Sequence, residues 1–179
     1  MDEQHWSDLH IETVALLYAL RELRKGVRET APNDSPAIRR YLEAGGIESP
    51  ARWCAAFCNW CAEQAAVLKG VTSPLEQVDY QAYVESYYRW ARKHDLLVPV
   101  DGVAPGNLFL LYDETADDPV YEGPGRHVHM GFVREPPFDS GSFQTVEGNS
   151  NEEGSAEGVR VASNDRRVTE GTRFVGWAA

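Results

Sequence analysis

Hydrophobic spacing changes once along this chain, from a helical period to an alternating one, and that change restricts the fold more than any other feature. Ile11, Val14, Ala15, Leu16, Tyr18, Ala19, Leu20 and Leu23 recur at the interval of one helix face, and Gly26 is a stop signal. Ser35-Pro36 is an N-cap followed by proline at the first helical position. Ile38, Tyr41 and Leu42 then give a second helix ending at Gly45-Gly46. A third helix begins near Ser49-Pro50 or Trp53 and runs to about Gly70. Residues 81–94, with Tyr83, Val84, Tyr87, Tyr88 and Trp90, make a fourth. From Pro105-Gly106 onward, short runs of β-type residues separated by Gly, Pro, Asp and Ser predict strands at 108–112, 128–133, 143–147, 159–162 and 174–177. Helices followed by strands predict an α+β domain, with N-terminal helices packed on a C-terminal antiparallel sheet. The acidic stretch 113–125 and the stretch 149–158 are expected to be loops.

With 179 residues, 42% of them hydrophobic, the chain suffices for one well-buried domain and is short for two. A formal charge of -11 argues against a nucleic-acid or anionic-membrane partner held by the protein's overall field. The start, Met1-Asp2-Glu3-Gln4-His5-Trp6, lacks the basic and apolar regions of a secretory signal. No run approaches the ~18 apolar residues of a membrane span, so no membrane insertion is expected. Synthesis in the cytoplasm is the expectation.

All three cysteines fall in Trp53-Cys54-Ala55-Ala56-Phe57-Cys58-Asn59-Trp60-Cys61, at i, i+4 and i+7 of the third helix. This spacing is unlike a disulfide framework and implies a reducing site of synthesis. Cys54 falls in the first turn, where unpaired N–H groups favour a negative sulfur. A neighbouring imidazole there can lower a thiol from its usual ~8.5 by several units. Cys58 and Cys61 lie deeper and read as packing residues. From this segment alone, Cys54 is equally readable as a nucleophile or as a small core residue.

The strand-rich half supplies partners. In His127-Val128-His129-Met130-Gly131-Phe132-Val133 the two histidines share a strand face by the period of two. Thr145-Val146-Glu147-Gly148-Asn149 places a carboxylate and an amide at a second strand end, and either could orient an imidazole. Taken in isolation, Glu147 and Asn149 read as a solvated strand end and a turn starter. Tyr83, Tyr87, Tyr88 and Trp90 have helical spacing and read as core, with Tyr112 as a further stacking candidate. Arg89, Arg92 and Lys93 read as a solvated face.

These residues carry a resemblance. Gly26-Val27-Arg28-Glu29, Asn33-Asp34-Ser35-Pro36-Ala37-Ile38, Tyr41 and Trp53-Cys54-Ala55-Ala56-Phe57 resemble the N-terminal half of the CHAP-type cysteine amidases and peptidases. Pro105-Gly106-Asn107-Leu108-Phe109 is similar to that family's Pro-Gly-Asp strand, with Asn107 in place of Asp. His129-Met130-Gly131-Phe132-Val133 resembles its His-x-Gly-x-Val strand, and Glu147-Gly148-Asn149 its Glu-x-Asn. The resemblance implies a papain-like fold over residues 26–179, with residues 1–25 as a helical extension packed on the domain or used for partner binding. It also implies a nucleophile at Cys54, a base at His129, a polar third residue at Glu147 with Asn149 as the second candidate, and peptidoglycan as substrate. His129 is preferred over His127 because Gly131 follows it at the motif's spacing. Trp53 and His127, beside the thiol and the base, are the candidates for substrate contact.

The chemistry so implied is amide hydrolysis through a thioester, by an N-acetylmuramoyl-L-alanine amidase or a peptide-stem endopeptidase, with no metal or cofactor required. A lysin or an antibacterial effector acting on the cell wall would fit, the effector with an immunity protein as partner. Three other readings compete. Cys54-x-x-x-Cys58-x-Trp60-Cys61 resembles the [4Fe-4S] ligand spacing of radical S-adenosylmethionine enzymes, although an apolar helix replaces the ligand loop and no strand precedes it. His127 and His129 with cysteines suggest zinc, but paired spacings in two clusters are absent. A non-catalytic wall-binding module would keep the fold without needing all three polar residues.

Overall fold

The computed structural model describes residues 3–121, 123–137, 140–151 and 158–178. Among these, four α-helices come first: α1 (Ile11–Arg24), α2 (Pro36–Ala44), α3 (Cys54–Lys69) and α4 (Val84–Lys93). Six strands follow: β1 (Leu97–Val98), β2 (Leu108–Asp118), β3 (Gly123–Glu135), β4 (Ser142–Ser150), β5 (Arg160–Arg167) and β6 (Thr172–Val175). They form one sheet in the order β1-β6-β2-β3-β4-β5, with every neighbouring pair antiparallel. The chain is therefore α+β, as the change of period predicts.

Local chemistry explains the helix boundaries. The Ser35 hydroxyl accepts a hydrogen bond from the Ile38 N–H at 3.3 Å, satisfying one of the orphan donors that open α2, and Pro36 supplies the first turn's dihedral. Helix α3 ends at Gly70, which takes the left-handed conformation at φ 65°. Between those ends α3 is buried on almost every side, from Cys54 through Ala62 and again at Ala65 and Ala66. A helix apolar all round belongs in the centre of a core. The small Ala and Cys side chains of α3 let α1, α2, β3 and β4 all pack against it.

Both faces of the sheet are apolar, and alternation sorts the residues between them. Leu108, Leu110, Met130, Phe132, Val146 and Val175 join the helices in the main core. Phe109, Val133, Phe143 and Phe174, with Val103, build a smaller aromatic cluster of their own. Burial of each such side chain contributes on the order of 1.5–3 kcal/mol.

Two expected loops are different. The acidic stretch at 113–125 continues the β2–β3 hairpin, with Asp117 opposite Pro124 and Asp118 opposite Gly123. Register shifts and mostly solvated side chains on both faces remove the alternation that would reveal a strand. The hairpin is anchored at Asp118, which accepts hydrogen bonds from Tyr83 and from the N–H groups of Val120 and Tyr121. Of the stretch at 149–158, Asn149 and Ser150 finish β4, and residues 152–157 lie outside the described residues. The two-residue β1 was not anticipated, being too short to show a period. The expected fourth helix starts later, at Val84.

Helix α1 is built into the same core through Val14, Ala15, Tyr18 and Ala19. One of its polar residues, Glu12, also reaches the sheet. Its carboxylate accepts hydrogen bonds from the Trp177 N–H at 2.6 Å and from the Asn107 amide at 3.3 Å. Asn107 in turn caps the turn before β2 by accepting from the Ala104 N–H. Glu12→Ala should therefore leave a buried donor unpaired and lower stability by about 1–3 kcal/mol. Glu12→Gln, which keeps an acceptor, should lower it much less. Thermal unfolding checks this, with each kcal/mol lowering Tm by about 2–4 °C in a chain of this length.

Candidate active site

Cys54 opens α3 in the first turn, where helix N–H groups lack intrahelical partners. Trp53 precedes it with its ring fully enclosed between Tyr41 and Phe57, at centroid distances of 6.0 and 6.4 Å. The indole N–H donates to Glu29 at 3.1 Å. Trp53, expected at the substrate, has no exposed ring surface in this structure and fixes the start of α3. The end of β4 presses on the same turn. A Cβ at Gly148 would stand 2.6 Å from the Phe57 Cβ, so only glycine permits that approach.

His129 lies on β3 with no solvent exposure. Its Nε2 is 2.8 Å from the Glu147 carboxylate on β4. Gly131, next on the same strand face, makes room for this crossing, because a Cβ there would meet Glu147 Cγ at 3.0 Å and the Phe109 ring at 2.9 Å. The glycine of the His-x-Gly pattern thus has a steric cause. Nδ1 has no hydrogen-bond partner among the described residues, and the interaction of the ring with the Cys54 thiol is electrostatic.

The electrostatics of the three groups follow from this line. Burial by itself pushes the Cys54 thiol up. His129 and the backbone N–H groups of Ala55 and Met130 outweigh that effect and leave the thiol below its ordinary value. Burial pulls His129 down, but Cys54 and Glu147 together raise it from 6.5 to about 9. Burial would raise Glu147 too, and its pairing with His129 and Arg166 instead holds it far below the usual carboxylate range. At neutral pH the arrangement favours imidazolium and carboxylate side by side, and both the imidazolium and the backbone N–H groups shift the thiol toward its ionised form.

Glu147 is further held by residues that sequence reasoning did not identify. Arg166 on β5 forks onto both oxygens, at 2.8 and 2.5 Å, with its guanidinium over the Phe109 ring. Thr145 donates at 2.6 Å and Ser150 at 2.9 Å. Thr145 stands two residues from Glu147 and could have been found by alternation. Arg166 could not, since only the β4–β5 register brings it across. Asn149, the second candidate, sits where β4 ends, at φ 54°, while Glu147 holds the imidazole.

His127 serves another carboxylate. A register shift between Leu111 and Tyr112 leaves Val128 without a cross-strand partner, which breaks the simple alternation expected for the two histidines. His127 Nδ1 is 2.7 Å from Glu85 on α4, and its backbone N–H donates to the same oxygen at 3.0 Å. Of the two histidines, His129 faces Cys54.

Cys58 and Cys61 are fully buried, and burial first, then neighbouring negative groups, pushes both thiols well above the ordinary value. All three cysteines are on one continuous helix. Among the described residues no three His, Cys, Asp or Glu side chains are grouped as a metal site needs. No helix of the described residues is long and apolar enough to cross a membrane. Comparison with protein-family models, curated proteins and solved structures gives no match, so the class of site is defined by its own geometry. That geometry is a cysteine, histidine and carboxylate line at a helix N-terminus.

Cys54 is only 5% exposed, so small electrophiles are the appropriate probe. Iodoacetamide at pH 7 should alkylate Cys54 well before Cys58 or Cys61, and His129→Ala should slow the reaction at Cys54 by tenfold or so. Peptide mass mapping reads the result, and equal labelling of the three would contradict the assignment.

Proposed function

We propose that this protein is a cysteine-dependent hydrolase of amide bonds in peptidoglycan, with a papain-like catalytic domain of the CHAP type. The observation that carries the proposal is the line of Cys54, His129 and Glu147, with the thiol lowered and the imidazole raised. The substrate class rests on the resemblance of the four ordered motifs to that family.

In this reading the Cys54 thiolate attacks the amide carbonyl carbon, and the C–N bond breaks as His129 imidazolium gives its proton to the leaving amine. A thioester remains on Cys54. The neutral imidazole then takes a proton from water as its oxygen attacks the thioester, which releases the acid and restores the thiolate. Glu147 fixes the ring through Nε2 and stabilises its positive form, while Arg166, Thr145 and Ser150 keep Glu147 ionised and stationary. Since Cys54 is nearly covered, substrate entry requires the side chains above it to shift. A lysin or an injected antibacterial effector, the latter with an immunity partner, would use such an enzyme at the cell wall.

Digestion of purified peptidoglycan, with fragments identified by mass spectrometry, tests the proposal and separates muramoyl amidase from stem endopeptidase. Cys54→Ala should abolish fragment release; undiminished digestion by that variant would refute it. The pH profile offers a second check. His129 is raised above its ordinary 6.5, so its proton is fully held below that value and lost as pH rises through about 9. kcat/KM should accordingly fall on the alkaline side near pH 9 rather than near 6.5.

A further inference from the structure

A cleft of about 430 Å³ is bordered by His127, Glu85, Tyr88, Tyr112, Glu114 and Glu170. His127 stands two residues before His129 on β3, across the bulge at Val128.

The chemistry of the cleft is specific. Glu85 accepts both the backbone N–H and the ring Nδ1–H of His127, so that in the neutral ring Nε2 is an acceptor. His127 is 3% exposed, and Nε2 has no hydrogen-bond partner among the described residues. A buried acceptor without a donor is costly, so a ligand N–H directed at it would be favoured. The walls add negative charge. Tyr88 packs on His127 at 4.5 Å and carries the Arg92 guanidinium over its ring at 5.6 Å, and Tyr112 meets the imidazole edge at 5.4 Å. Of the three carboxylates that border the cleft, Glu85 is paired with Arg89 at 3.1 Å and with His127, so Glu114 and Glu170 supply the negative charge, while Arg173 donates to the backbone oxygens of Glu170 and Thr172. An N–H donor that is positively charged satisfies both the lone pair of the neutral imidazole and the carboxylates.

We propose that this cleft is a subsite for a primary ammonium group on the peptide being cut. The proposal relies on the hydrolase reading only for the molecule that carries the ammonium, a diamino-acid side chain or a free peptide N-terminus. Arrival of the ligand places one N–H on His127 Nε2 and the remaining charge between Glu114 and Glu170, with no covalent step.

The test is binding, so that it does not depend on cleavage. The Cys54→Ala protein is titrated, with NMR detection of backbone and histidine ring resonances, with three probes. Nα-acetyl-lysine amide offers a side-chain amine, alanine amide an α-amine, and Nα,Nε-diacetyl-lysine amide neither. Saturable shifts at His127, Tyr88 and Tyr112 are expected with at least one amine probe, and about tenfold weaker binding with the diacetyl probe. Which amine binds identifies the source. His127→Phe, which keeps the ring stack but removes the acceptor, should reduce amine binding to the level of the diacetyl probe, and Glu170→Gln at the exposed rim should weaken it less. Equal binding of all three probes by the Cys54→Ala protein, or no shift at His127 with either amine, overturns the subsite whatever the fate of the variants. Amine binding at His127 in a protein that cuts no wall would uphold the subsite and refute the hydrolase reading.

Discussion

A negative charge on Glu147, with no exposure to water, is the constraint around which this molecule is arranged. An isolated carboxylate so placed would take up a proton, because burial penalises the charged form. Here five donor atoms from four residues meet its two oxygens: His129 Nε2, the Arg166 Nε and Nη2, and the Thr145 and Ser150 hydroxyls. They come from three adjacent strands, so the charge is stable only when β3, β4 and β5 are in register. Buried pairs of this kind are weak evidence for stability, since removing charges from water costs much of what their attraction returns. Their more evident consequence is geometric: one arrangement of His129 satisfies every group.

The thiol depends on that arrangement in turn. Burial alone would leave Cys54 as protonated as Cys58 and Cys61, its neighbours on the same helix. The difference lies in what each sulfur faces. Cys54, in the first turn of α3, meets His129 and two backbone N–H groups, whereas the deeper thiols meet apolar side chains and negative neighbours. Three chemically identical residues thereby acquire different reactivity from position. Gly131 and Gly148 permit it, the first by letting Glu147 reach the histidine and the second by letting β4 rest on the start of α3.

Much of the frame was legible in the sequence because the signals were local. The Ser35-Pro36 cap, the glycine stops and the helical spacing of α1 to α4 act within a few residues, and the structure places those elements within a few residues of the expected bounds. The alternation of Leu108, Leu110, Met130 and Phe132 was readable for the same reason. Where polar residues occupied both faces, as along the extension of the β2–β3 hairpin, no period remained to be read. Trp53 shows a different limit: its place beside the thiol suggested contact with substrate, but burial is set by Tyr41 and Phe57, which arrive from elsewhere in the fold.

By itself the sequence determined that helices precede a sheet, that one cysteine begins a helix, and that a histidine and a carboxylate lie on nearby strands. These follow from short-range periods and caps. Only the tertiary structure decided which histidine faces the sulfur, that Glu147 holds the imidazole, that Arg166 secures Glu147, and that His127 belongs to Glu85. Each of these depends on strand register and on the bulge at Val128, which slide whole rows of side chains relative to one another. Register arises from pairing between distant segments, so no local pattern encodes it.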